Sequence, residues 1–111
     1  MSCCGVFHRG DAAAPTAVRL MRSRYSAFVV GDAAYLLATW HPSTRPASLE
    51  LDPAQRWYRL DILRSQRGGM LDSEGTVEFR AWYKLDGRPG NQHEISRFRR
   101  EDGRWLYVDA L

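Results

Sequence analysis

The chain reads as an α+β domain, on three observations. An apolar face repeats with helical spacing early in the chain, and four stretches of strand character fill its second half. Its 111 residues suffice for one compact core but not for two. Two helices followed by an antiparallel meander satisfy that order. A hydrophobic share of 44%, with four Trp, five Tyr and four Phe, supplies the core without disulfides or an obligatory metal.

The elements follow in order. Residues 1–14 read as an irregular lead-in ending in Ala12-Ala13-Ala14, and residues 15–111 as the domain. Pro15 suits a first helical turn. From Ala17 to Val29, Ala17, Val18, Met21, Tyr25, Phe28 and Val29 share one helical face. Gly31 is a natural stop, and Asp32 caps a second, shorter helix. That helix runs to about Trp40, where Pro42 forbids its continuation. Pro42 to Pro46 is a rigid loop, and Asp52-Pro53-Ala54-Gln55 has the capping-box spacing of a helical turn. Strands are expected at about 57–67, 75–85, 92–100 and 104–110.

The last hairpin can be counted residue by residue. Asp102-Gly103 is a strong two-residue turn signal, which pairs Glu101 with Arg104, Phe98 with Tyr107 and Ser96 with Asp109. Trp105 and Arg100 then share a side. With a matching turn over 85–92, Glu94 lies beside Ala81, Ser96 beside Phe79 and Phe98 beside Val77. One sheet face would carry Val77, Phe79, Ala81, Tyr83, Phe98, Trp105 and Tyr107, with Glu94, Ser96 and Asp109 set into it. A buried carboxylate needs a partner, and Arg24, at the edge of the first helix's apolar face, is the expected one. A slip of one residue would reverse every facing.

Composition narrows the class. No apolar run approaches the roughly 20 residues of a membrane span, and no signal-peptide core stands at the N-terminus, so a cytoplasmic protein is expected. The net charge is +3 at a sequence pI of about 9.2, and Lys84 is the single lysine among sixteen basic residues. That arginine bias accompanies abundant Ala and Gly, and nucleic acid is not an expected partner. Cys3 and Cys4 are adjacent, too strained for a useful mutual bridge, and fit a reducing compartment.

Two phrases stand out. Leu20-Met21-Arg22-Ser23-Arg24-Tyr25-Ser26-Ala27-Phe28 and Tyr35-Leu36-Leu37-Ala38-Thr39-Trp40-His41-Pro42-Ser43-Thr44-Arg45-Pro46 alternate charged, hydroxyl and aromatic residues, as walls of a cavity do. With His93-Glu94-Ile95-Ser96-Arg97-Phe98 and Gly103-Arg104-Trp105-Leu106-Tyr107-Val108-Asp109, they resemble the YchJ-like family of small bacterial proteins over about 15–111. The resemblance implies a nuclear-transport-factor-2-like (cystatin-like) fold, a curved antiparallel sheet wrapping helices into a cone with an internal cavity. That fold hosts isomerases, dehydratases, cyclases, hydrolases and binding modules, so it does not choose the function. Family members often begin with a zinc motif like that at the C-terminus of SecA, Cys-x-Cys followed by Cys-Cys or Cys-His. This chain has Cys3-Cys4-Gly5 without the first Cys-x-Cys. Cys3, Cys4 and His8 are thus three ligands where structural zinc takes four. No cofactor is expected, zinc entering only if that motif is completed.

The cavity is expected to be lined by Arg24, Tyr25, Trp40, His41, Glu94, Ser96, Tyr107 and Asp109. Its leading use is binding a small molecule or peptide in an accessory or adaptor module, with a protein partner in the adaptor case. The alternative is proton-transfer or hydrolytic chemistry. His41 has a pKa suited to neutral pH, and Glu94 or Asp109 would be a base with a pKa raised by apolar walls. Arg24 would then hold an anionic substrate or enolate. Arg97 and Arg99 read as a solvated edge, with Arg100 facing the other way. Ile95, Leu106 and Val108 form an apolar outer patch suited to a homodimer.

Overall fold

The computed structural model describes residues 14–111. Within them, helices α1 (Ala17–Val30) and α2 (Ala33–Ala38) precede strands β1 (Gln55–Arg67), β2 (Glu74–Leu85), β3 (Arg88–Glu101) and β4 (Arg104–Ala110). The strands form one antiparallel sheet in sequence order. Helix α1 packs against β1, β2 and β4, thus reaching both edge strands. Strands spaced about 4.8 Å apart permit that only if the sheet curls around the helix.

Helix α1 begins two residues later than Pro15 suggests. Thr16 is the N-cap, its hydroxyl accepting from the Arg19 amide at 3.2 Å, and Pro15 stands just before it. Gly31 ends the helix at φ 76°, and Asp32 caps α2 by accepting from the Tyr35 amide at 3.0 Å. The buried arc of α1 is wider than its expected apolar face. It includes Leu20, Ser23, Arg24 and Ala27, whereas Val29 is exposed. Helix α2 packs on one flank of α1 while the sheet takes the other. Ser23 ties the two helices together, its hydroxyl donating to the Leu20 carbonyl and lying 2.7 Å from that of Tyr35. Asp52 to Gln55 makes a turn, not a helical one, because β1 starts at Gln55 directly after it.

Two hairpins close on Asp-Gly turns with both residues at positive φ, Asp86-Gly87 and Asp102-Gly103. This is the two-residue turn that matches strand twist. Asp86-Gly87 is shorter than the expected 85–92 connection, so β2 and β3 pair two residues away from the anticipated register. Glu94 sits opposite Phe79, Ser96 opposite Val77 and Phe98 opposite Gly75. A shift of two preserves facing, so Val77, Phe79, Ala81, Phe98 and Trp105 still bury together against Leu20 and Met21.

The β3–β4 pairing begins as counted, Glu101 with Arg104 and Phe98 with Tyr107. An irregularity between Arg97 and Phe98 then sets Arg97 opposite Asp109 and Ser96 opposite Ala110. The segment after α2 lies along the free edge of β4. His41 N donates to Tyr107 O at 2.7 Å, and Tyr107 N to Thr39 O at 2.8 Å.

Candidate functional site

That edge contact places Trp40 against Tyr107, ring centroids 5.1 Å apart and nearly perpendicular. Between this pair and the sheet lies a cavity of about 160 Å³. Helix α1 contributes Met21, Arg24, Tyr25 and Phe28 to its wall, and β1 and β2 contribute Trp57, Phe79 and Ala81. Gln92, Glu94 and Ser96 of β3 and Tyr107 of β4 complete it. The wall is thus mostly aromatic and aliphatic with a few polar groups, as small-molecule sites are. A wider hollow of about 370 Å³, bordered by Arg67, Glu74, Arg97 and Arg99, is flanked by exposed charges.

Arg24 dominates the electrostatics. It is 4% exposed, and its guanidinium carbon stands 4.7 Å from the Tyr107 ring centre and 5.3 Å from that of Trp40. Its Nη1 donates to the Leu36 carbonyl and the Thr39 hydroxyl, each at 2.7 Å. The expected carboxylate partner is absent: among the described residues no acidic group pairs with Arg24. Glu94 is bound by Gln92, and Asp109 by Arg97. Burial pulls the Arg24 pKa down to about 10, so it stays a cation at neutral pH. Burial also raises the Tyr107 phenol, with Glu94 adding to the effect and Arg24 opposing it. Burial raises Tyr25 as well.

This architecture has relatives. The model of the YchJ middle NTF2-like domain matches residues 16–110. The chain belongs to that family. A UPF0225 protein of Streptomyces coelicolor is 61% identical over 108 residues, covering 97% of this chain and 84% of the relative. Another, of Corynebacterium glutamicum, is 53% identical over 105 residues, covering 95% and 83%. Among solved structures, a SEC-C motif containing protein from Rhodopseudomonas palustris is similar at a TM-score of 0.84 and 31% identity. That match covers 98% of this chain and 88% of the other.

On this NTF2-like frame the expected wall divides. Arg24, Tyr25, Trp40, Glu94, Ser96 and Tyr107 come together around the cavity, while His41 and Asp109 do not. His41 lies off the cavity wall, its side chain 12% exposed. Its Nδ1 accepts from the Ser43 amide at 3.1 Å, so its Nε2–H donates to Glu101 at 2.8 Å, clamping the loop to the end of β3. Asp109 is displaced by the irregularity at Arg97, which grips it with two bonds of 2.6 Å. The wall residues not anticipated are Met21, Phe28, Trp57, Phe79, Ala81 and Gln92. Met21, Phe28, Phe79 and Ala81 were legible as core-facing apolar positions, whereas Trp57 and Gln92 were not assigned to a face. Ile95, Leu106 and Val108 are half-buried, and Arg97 shares their face. Cys3, Cys4 and His8 lie outside the described residues.

The Arg97 bonds hold the Asp109 carboxyl below the usual carboxylate range. The unfolded chain therefore binds more protons, so the pairing stabilises above the ordinary carboxylate pKa. That contribution is lost as pH falls through the depressed one. Asp109→Asn is expected to lower Tm by a constant amount from pH 7 to 5, the gap from wild type closing below about pH 4. A gap unchanged down to pH 2 in thermal unfolding would remove the pairing as its cause.

Proposed function

We propose that this chain is a cytoplasmic accessory module that binds a small molecule in the cavity between α1 and the sheet. The carrying observation is the cavity itself. It is walled by rings and one buried cation, and its volume matches what holds a benzene-sized ring. A peptide could enter only by one side chain. No helix among the described residues is long and apolar enough to cross a membrane. Of the three groups considered for acid–base chemistry, Glu94 alone lines the cavity, so binding is favoured over catalysis.

Native mass spectrometry of protein purified without chelator is expected to show a retained organic mass. Titration with benzamide, a neutral ring-sized probe, followed by NMR is expected to shift the Trp40, Trp57 and Ala81 signals saturably. Ala81→Leu, which fills the space, should abolish those shifts while leaving the amide spectrum folded. A bare apo mass, together with no saturable shift at millimolar benzamide, would overturn the proposal.

A further inference from the structure

Arg24 carries more hydrogen-bonding capacity than the fold uses. A guanidinium presents five N–H donors. Both bonds to the protein run through Nη1, which is enough to hold the Leu36 carbonyl and Thr39. Among the described residues, Nε and Nη2 have no acceptor and no carboxylate stands in ion-pair range. Neither nitrogen is fully sealed, and Arg24 is part of the cavity wall.

The rings of Trp40 and Tyr107 hold the guanidinium in place while leaving those donors free. Among the described residues Trp40 Nε1 is also without an acceptor, but it is sealed off and offers nothing to a ligand. A buried cation with donors to spare, in the wall of an apolar cavity, calls for an anion.

Building on the pocket reading, we propose that Arg24 is the anion seat of this site, and that the ligand is a small aromatic carboxylic acid. The carboxylate matches the free fork of the guanidinium, and the ring fills the space beside Met21, Trp57 and Phe79. Two features favour a carboxylate over a phosphate. The cavity takes only about one ring, and Glu94 in the same wall repels a dianion more than a monoanion.

The test compares benzoate with benzamide, isosteric and uncharged, by NMR titration of the wild-type chain at pH 7. Benzoate is expected to bind roughly 10- to 100-fold more tightly, the margin of a hydrogen-bonded charge. Arg24→Met should make the two ligands equal, and Arg24→Lys should restore part of the preference. The wild-type comparison stands even if neither variant folds. Equal affinities in the wild type would overturn the anion seat while leaving the pocket intact. Binding of neither ligand would overturn the pocket reading beneath it. Displacement of benzoate by equimolar inorganic phosphate would overturn the assignment to a carboxylic acid.

Discussion

Gly75→Ala is expected to cost on the order of 4 kcal/mol, enough to leave little of the domain folded at 37 °C. A Cβ at this position would lie 2.5 Å from both Cα and N of Gly68, and 3.0 Å from the Arg67 carbonyl carbon. All three are backbone atoms, so no side chain can swing away to relieve the overlap. Gly68 is itself committed. At φ 76° its amide donates to Glu74 O, and its carbonyl accepts from Ala17 N at 3.0 Å, anchoring the first residue of α1. Pushing Gly68 away therefore loosens both the β1–β2 hairpin and the start of the helix.

Thermal unfolding followed by circular dichroism checks this, with a fall in Tm of at least 15 °C expected. The control is Gly87→Ala. Nothing lies within 4 Å of a Cβ there, so only the strain of φ 81° applies, about 1–2 kcal/mol. A Gly75→Ala protein melting as high as Gly87→Ala would show that the two strands can separate at no cost.

Phe98→Ala is expected to cost about 3–5 kcal/mol, the cost of truncating an enclosed aromatic. Phe98 is 1% exposed and the largest fully buried side chain among the described residues, and its ring stands 5.9 Å from that of Tyr107. Its neighbours are held from two sides: β2 and β4 by the sheet ladder, and Trp105 by its indole bond to the Pro15 carbonyl. The space left behind therefore cannot collapse freely, which places the loss toward the upper end. Because Tyr107 also walls the ligand cavity, probe binding should weaken together with stability. In urea unfolding the midpoint should fall with an unchanged m-value. Leu63→Ala, on a half-exposed residue, should fall well below it, at about 0.5 kcal/mol. A Phe98→Ala loss no larger than that of Leu63→Ala would mean that the core is not organised around this ring.

The features legible in the chain were those decided within a few residues. The Gly31 stop, the Asp32 cap and the Asp102-Gly103 turn each depend on a local backbone conformation or one nearby hydrogen bond. All three appear in the structure as read. Alternation likewise placed Val77, Phe79, Ala81, Phe98 and Trp105 on one face. It did so although the β2–β3 register was counted two residues off, because an even slip leaves facing unchanged. Asp86-Gly87 held the signal that would have corrected the count.

What eluded local reading was the pairing of charges. Asp109 sits on the cavity side by simple alternation, but an extra residue in β4, Val108, brings it to Arg97 instead. Arg24 was expected to neutralise a carboxylate, and it is held by a carbonyl, a hydroxyl and two rings. His41 was placed at the cavity by its neighbour Trp40, yet consecutive residues in the extended segment along β4 point to opposite sides.

By itself, then, the sequence determined the element order, the turns, the inward face of the sheet and the family phrases. Those rest on short-range sterics and on a hydrophobic period that tolerates small errors of register. Only the tertiary structure decided which polar side chains meet. A hydrogen bond or ion pair is made or lost within about 1 Å, and a single irregularity in a strand moves a side chain farther than that.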